Sequence, residues 1–166
     1  MGGGPPMKIK KIGFYKISVL FFCLIAPAAG TVIEALASAS AAGVFQILFQ
    51  WFVFSGVGLR LLSSGVRQVV SPSFTAREIF KLTDSKDFVI VRELGFANLC
   101  FGVSGVLSFF FAGFRLVSAI SGGLYLASTG FAHLFRKRDS ENETLAMASD
   151  LFVAAVLFTL GLICYL

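Results

Sequence analysis

Hydrophobic residues fall into five long runs that are separated by short polar stretches. Each run is close to the roughly 20 residues that a helix needs to cross about 30 Å of hydrocarbon. The pattern predicts membrane-spanning helices near residues 17–36, 44–68, 90–112, 116–135 and 145–166. Since the sequence has no internal repeat and no second domain, we expect one polytopic domain over residues 1–166, an all-α integral membrane bundle of five transmembrane helices.

The first run has a second interpretation. Four lysines precede the apolar stretch "ISVLFFCLIAPAAG", and this order of basic, apolar and small residues is also that of a secretory signal peptide. Cleavage after "APA" would leave four spans. We expect the segment to be retained as the first of five helices.

The longest polar connection, between the second and third runs, contains a short amphipathic segment. Pro72 is expected to end the second helix, and the spacing of Thr75 and Glu78 is that of a capping box. The pattern predicts a short interfacial helix over residues 74–82 that lies in the headgroup layer. The charged residues expected in this interfacial loop are Arg77, Glu78, Lys81 and Arg92.

Composition agrees with a membrane protein and excludes an ordinary soluble domain. Of the 166 residues, 57% are hydrophobic and 14% are charged, whereas roughly 25% of the residues of soluble domains are charged. The charged residues lie in short patches between the apolar runs. The net charge of +5 is therefore expected to reflect membrane topology, and no nucleic-acid partner is indicated.

The distribution of lysine and arginine predicts the orientation of the chain. If the N-terminus is cytoplasmic, Arg115 faces outward and Arg60 lies within a span, which leaves twelve of the fourteen basic residues on the inner side. This bias follows the positive-inside rule. Five crossings would then place the C-terminus outside.

Polar and ionisable side chains inside the predicted spans gather at one depth. Arg60 and Arg67 are nearly two turns apart, so they share one face of the second helix. A mid-helix arginine costs about 3 kcal/mol on insertion scales, and it should therefore face protein and meet an acid. The predicted buried polar cluster, in the inner half of the membrane, consists of Arg60, Arg67, Glu93, Asn98, His133 and Asp150.

Two acids, Glu93 and Asp150, are available to the two arginines. Helical side chains tilt toward the helix N-terminus, which moves Arg60 outward and both acids inward. Arg67 is therefore the easier partner for either acid, and Asn98, a glutamine or water are further candidates for Arg60. The sequence leaves open which acid pairs with which arginine.

The third predicted helix has small residues on two sides, as close approach of two neighbouring helices requires. One side contains Gly95, Gly102 and Gly105, and we expect this helix to be the central one. At the outer surface, Glu34 and Arg115 are a weaker candidate ion pair.

The sequence contains no catalytic constellation, so we expect no enzymatic activity. Cys23, Cys100 and Cys164 lie in separate apolar runs without a C-x-x-C motif or a nearby histidine, and neither a disulfide nor a metal site nor a cofactor is expected. His133 lies beside a helix end and the basic "RKR" motif, which is typical of an interfacial anchor.

Three stretches resemble a family of small bacterial multi-span membrane proteins that is defined as a domain of unknown function. They are "WFVFSGVGLRLLSSGVRQVVSPSFTAREIF" at 51–80, "VRELGFANLCFGVSG" at 91–105 and "ENETLAMASDLF" at 141–152. The resemblance covers most of the chain after about residue 44 and implies a bacterial inner membrane. A looser resemblance is to the DoxX-like four-helix membrane proteins, from which this chain differs by an extra first helix. The positions that the first resemblance singles out are Arg60, Arg67, Arg77, Glu78, Arg92, Glu93, Asn98 and Asp150.

The favoured functional hypothesis is a non-enzymatic structural or accessory component that associates with itself or with a larger membrane complex. The alternative is an oligomeric carrier or channel for a small ion or anion that uses Arg60, Asp150 and Glu93. An enzyme that acts on lipid or quinone ranks third. A cavity that reaches Arg60 would favour transport, whereas a dry, fully paired cluster would favour a structural role.

Overall fold

The structure, a computed structural model, describes residues 13–37, 43–80, 82–135 and 141–166, except for the side chain of Glu78. These residues form six helices: α1 Phe14–Ala37, α2 Val44–Val70, α3 at residues 72–79, α4 Ser85–Phe110, α5 Gly113–Leu134 and α6 Glu141–Tyr165. The prediction of an all-α protein is confirmed.

Four of these helices, α1, α2, α4 and α6, are long and apolar enough to cross a membrane. Helix α5 has 22 residues, but its glycine, serine and threonine residues lower its apolarity, so the predicted count of five spans is not confirmed. Large apolar side chains such as Leu36 and Phe110 are exposed on the outside of the bundle. An exposed apolar surface of this kind is typical of helices that contact lipid.

Helix α2 occupies the centre of the bundle. Of its apolar window 56% is buried, against 28% for α4, so the prediction that the third span is central is wrong. The cause is a run of four buried residues in α2, Ser55, Gly56, Val57 and Gly58, which we call the packed centre. In order, these residues contact Phe22 of α1, Val153 of α6, Gly122 of α5 and Gly105 of α4.

Glycines bring α2 and α4 into backbone contact. A Cβ atom at Gly105 would lie 2.5 Å from the backbone nitrogen of Gly58, and a Cβ at Gly102 would overlap the backbone of Leu62. The glycine face of α4 predicted from spacing is therefore buried, and it faces α2. Because the backbones touch at several levels, the axial register of the two helices is fixed.

Helix α3 begins and ends earlier than predicted. It begins at Pro72, because proline suits the first helical position, and it ends at Ile79. The predicted interval of 74–82 and the capping box are therefore wrong, since Thr75 is helical and buried. Lys81 and the side chain of Glu78 lie outside the described part of the chain. The apolar side of α3 packs on the bundle, while Arg77 is exposed and its guanidinium lies 5.8 Å from the ring of Phe88.

Helices α1, α4 and α6 begin at one end of the bundle, where α2 and α5 end. We call this the charged end, and an ion pair between Lys16 and Glu141 joins α1 to α6 there. At the opposite end, the indole of Trp51 donates to Glu34 at 2.8 Å, and Arg115 donates to Gln50. The predicted ion pair between Glu34 and Arg115 is therefore wrong.

Candidate functional site

A buried ion pair joins the middle of α2 to α6. The guanidinium of Arg60 donates through Nη2 to Oδ1 of Asp150, and also to Oγ of Ser149 at 2.8 Å. The hydroxyl of Thr129, on α5, donates to Oδ2 of Asp150 at 3.1 Å. Arg60 is 6% exposed and Asp150 is 8% exposed. The pair thus has the additional hydrogen bonds that buried charges require.

The register of α2 and α6 brings this pair together. Gly56 faces Val153 in the packed centre, and the two helices are antiparallel. One turn toward the charged end from these residues, α2 presents Arg60 and α6 presents Asp150, so both charges lie at the same level. The prediction that Arg67 is the easier partner is wrong, because the tilt of single side chains is smaller than the effect of this register.

Two further polar pairs lie closer to the charged end. The amide of Asn98 on α4 donates to Oε1 of Gln68 on α2 at 2.6 Å. Nδ1 of His133, at the end of α5, lies 3.4 Å from Oε1 of Glu143, in the first turn of α6. Both pairs are buried. Each pair links two helices, so polar contacts continue from Arg60 toward the charged end.

A cavity of about 560 Å³ adjoins these polar groups, and all six helices contribute to its wall. Its volume lies within the range of roughly 300–1,000 Å³ that is usual for small-molecule sites. Apolar residues such as Val19, Phe22 and Leu61 line much of it. The polar residues in the wall include Arg60, Arg67, Gln68, Asn98, Tyr125, Thr129, His133 and Asp150. An apolar cavity with a few convergent polar groups is the common form of a ligand site.

Two buried polar atoms in the cavity wall have no hydrogen-bond partner among the described residues. They are Nη1 of Arg60 and Oδ1 of Asn98. Arg60 is 94% buried by its 6% exposure, and Asn98 is 3% exposed. A buried polar atom without a partner costs about 1–3 kcal/mol. Each atom exposes less than 1 Å², so a molecule in the cavity would reach Nη1 or Oδ1 only after a small shift of the side chain.

Comparison with known proteins gives a family for the chain. Residues 17–166 match DUF6790, a family of unknown function. The chain belongs to this family. No curated protein and no solved structure matches it. The DUF6790 match agrees with the resemblance to a family of unknown function, while the looser resemblance to DoxX-like proteins stays a prediction.

Of the remaining predicted site residues of this DUF6790 chain, one lines the cavity and two are exposed on the surface of the bundle. Arg67 is half-buried and lines the cavity, and its guanidinium lies 4.1 Å from the centre of the Phe74 ring. Glu93 is exposed, so its assignment to the buried cluster is wrong. The face of α4 that contacts α2 contains Gly95 and Asn98, and Glu93 lies off that face. Arg92 is also exposed.

Several residues of the site were missed from the sequence. Ser149 and Gln68 bond directly to predicted cluster members, and Glu143 is the partner of His133. Glu143 could have been predicted, because the short connection between the fourth and fifth runs places the start of one helix beside the end of the other. Nothing in the sequence indicates that Tyr125 lines a cavity, since an aromatic residue in an apolar run usually packs in the bundle.

The DUF6790 site offers hydrogen bonds and charge. Among the described residues, no group of three histidine, cysteine or acidic side chains is arranged to hold a metal ion. Cys23 is buried, and neither it nor Cys100 or Cys164 forms a disulfide. The arrangement is suited to binding a molecule with both polar and apolar parts.

Proposed function

We propose that this DUF6790 protein is a membrane-embedded binding protein that takes a small amphipathic molecule into the Arg60 cavity, as a carrier does in its binding step. The observation that supports the proposal most directly is the unpaired Nη1 of Arg60 in the wall of a 560 Å³ cavity. A guanidinium is costly to bury inside a membrane protein. Because Arg60 lines the cavity and keeps one unpaired donor, a small rotation of its guanidinium would bring that donor to a bound molecule.

The cavity favours this hypothesis over a purely structural role. An ion pair that only fixes helix register would be expected in dry, close packing, like that of the packed centre one turn away. Instead, Arg60, Asn98 and Thr129 all line an open volume. The structural or accessory hypothesis remains a second proposal, and a native pull-down with mass spectrometry would test it by detecting a stoichiometric larger partner.

The membrane topology that we propose has five spans, with the N-terminus cytoplasmic and the protein in a bacterial inner membrane. Helix α5 is as long as a span and lies antiparallel to both α4 and α6, which supports its crossing with them. Helix α1 contacts the packed centre through Phe22 and lines the cavity, which supports its retention. Reporter fusions at the C-terminus should report an external location.

A cavity-filling variant tests the binding function. Ser64 lines the cavity and has no hydrogen bond to lose among the described residues, so Ser64→Trp should occupy the volume while leaving the Arg60–Asp150 pair intact. Ser121→Trp, on α5 outside the cavity, is the matched control. The measurement is solvent extraction and mass spectrometry of molecules retained by each purified protein in its native lipid.

The expected result is a defined amphipathic molecule, near one per chain, in the wild type and in Ser121→Trp, and its loss in Ser64→Trp. Identical extracts from all three proteins would contradict the proposal. A thermal-shift measurement on each protein should show that the two tryptophan variants are folded.

A further inference from the structure

The charges of the cavity wall indicate the class of molecule that it binds; this inference rests on the proposed function. Among the described lining residues, two guanidinium groups, Arg60 and Arg67, accompany one carboxylate, Asp150. Asp150 already accepts from Arg60 and from Thr129. Arg67 has no carboxylate partner in the described part of the chain, and its guanidinium lies over the ring of Phe74. The wall therefore has an excess of positive charge.

The free donors of the wall suit an anionic oxygen group. Nη2 of Arg60 already donates to Asp150 and Ser149, so the unpaired Nη1 is the donor left for one oxygen of a carboxylate or a phosphate. Arg67 is seven residues further along α2, about 10.5 Å at 1.5 Å per residue, and on the same face. Both side chains reach the cavity, so an anionic head between them would contact one guanidinium and be attracted by the other.

Of the five exposed residues that line the cavity, three are apolar and the other two are Ser63 and Ser71. Phe14 at the start of α1 and Val70 at the end of α2 line the cavity and are 75% and 78% exposed. Val66, one turn before Val70, is 50% exposed and also lines it. An opening between apolar side chains of two membrane helices admits a molecule from the lipid more readily than from water.

The volume limits the size of the molecule. At roughly 30 Å³ for a group of the size of water, 560 Å³ accommodates about 19 such groups. This is enough for one alkyl chain with its head group. We infer that the Arg60 cavity binds a single-chain amphiphile with an anionic oxygen head, of which a long-chain carboxylate is the simplest case.

Three probes separate the contributions of head and tail. Oleate has both features, oleyl alcohol has the same chain with a neutral head, and acetate has the carboxylate without the chain. Equilibrium binding is measured on the full-length protein in nanodiscs of a zwitterionic lipid, with empty nanodiscs subtracted. We expect oleate to bind at least tenfold more tightly than oleyl alcohol, and acetate to show no binding at millimolar concentration.

Arg67→Gln tests the source of the preference, with Arg92→Gln as a matched control at an exposed arginine of the same end. Arg67→Gln should reduce the preference for oleate over oleyl alcohol about tenfold, because it removes the uncompensated charge. Arg92→Gln should leave the preference unchanged. Arg67→Lys keeps the charge and should retain most of it, which separates loss of charge from damage to the fold.

Equal affinity for oleate and oleyl alcohol would overturn the inference about the head group while leaving the binding function in place. Equal losses in Arg67→Gln and Arg92→Gln would also overturn it, since the effect would then be a general surface charge effect. If neither long-chain probe binds and Ser64→Trp retains the same extracted molecules as the wild type, the proposed function itself fails.

Discussion

Two adjacent parts of α2 pack against their neighbours in different ways. In the packed centre, Ser55–Gly58 contacts four helices through small side chains and backbone atoms. From Arg60 onward, the side of α2 toward α4 stays in close contact through Gly65, while the side with Arg60 and Arg67 borders a 560 Å³ cavity. Glycine and serine let helix backbones touch, whereas an arginine keeps the helices apart and needs polar partners. The bundle is therefore tightly packed on all sides of the packed centre, and open on one side of the next part of α2.

The largest expected effect comes from breaking the ion pair at the border of the two parts. Arg60→Leu leaves Asp150 buried with only Thr129 as a donor among the described residues, and an uncompensated buried charge costs about 3–5 kcal/mol. We expect a loss of unfolding free energy of roughly 3 kcal/mol or more, measured by thermal shift and by denaturant titration in detergent.

The control for this variant is the double substitution Arg60→Leu with Asp150→Leu. Because both charges are then absent, the double variant should be more stable than the sum of the two single losses by about 2 kcal/mol or more. Strictly additive losses, or no loss in Arg60→Leu, would mean that the pair does not contribute to the stability of the bundle.

A smaller effect is expected from the packed centre. Gly105→Ala places a Cβ atom 2.5 Å from the backbone nitrogen of Gly58, so α2 and α4 must separate. Overpacking of this kind costs about 1–3 kcal/mol, and thermal shift should detect it. Since the strain is confined to the close contact, the cavity and its ligand should be affected less than in Arg60→Leu.

Gly161→Ala is the matched control, because a Cβ atom there would approach no other atom more closely than 3.9 Å. The alanine should leave stability unchanged or raise it by up to about 1 kcal/mol through helix propensity. If the two glycine variants lose stability equally, close backbone contact is not what distinguishes the packed centre.

Helical spacing predicted the faces of single helices well, and the partners of those faces poorly. The period of α4 correctly placed Gly95, Gly102 and Gly105 on a buried face, because the period is local to one helix. Whether that face meets α2, and at what level, depends on contacts that no single helix contains. For this reason Arg60 and Asp150 were predicted to share a depth, while their direct pairing and the exposure of Glu93 were not.

The start of α3 shows a different limit. The capping-box spacing of Thr75 and Glu78 suggested a helix start, but Pro72 provides an earlier one and the apolar side of the segment packs on the bundle. Two local signals competed within four residues. Burial of Thr75, Ala76 and Ile79 against the bundle favours the start at Pro72. This burial depends on tertiary contacts that cannot be predicted from the local sequence.

The smallest expected effect concerns the second ion pair between helices, Lys16–Glu141 at the charged end. It joins α1 to α6 as Arg60–Asp150 joins α2 to α6, but its side chains are 30% and 61% exposed, against 8% and 11% for the buried pair. Water and salt screen such a pair, so Lys16→Gln should cost no more than about 1 kcal/mol, and less at high salt. Thermal shift at low and high ionic strength measures both values. Both are ion pairs that join α6 to another helix, so we expect burial to contribute most of the difference between their variants. A loss of stability in Lys16→Gln as large as that in Arg60→Leu, and insensitive to salt, would show that the attachment of α1 to α6 holds the bundle together. The difference between the packed centre and the cavity-lining part of α2 would then no longer explain the stability of the bundle.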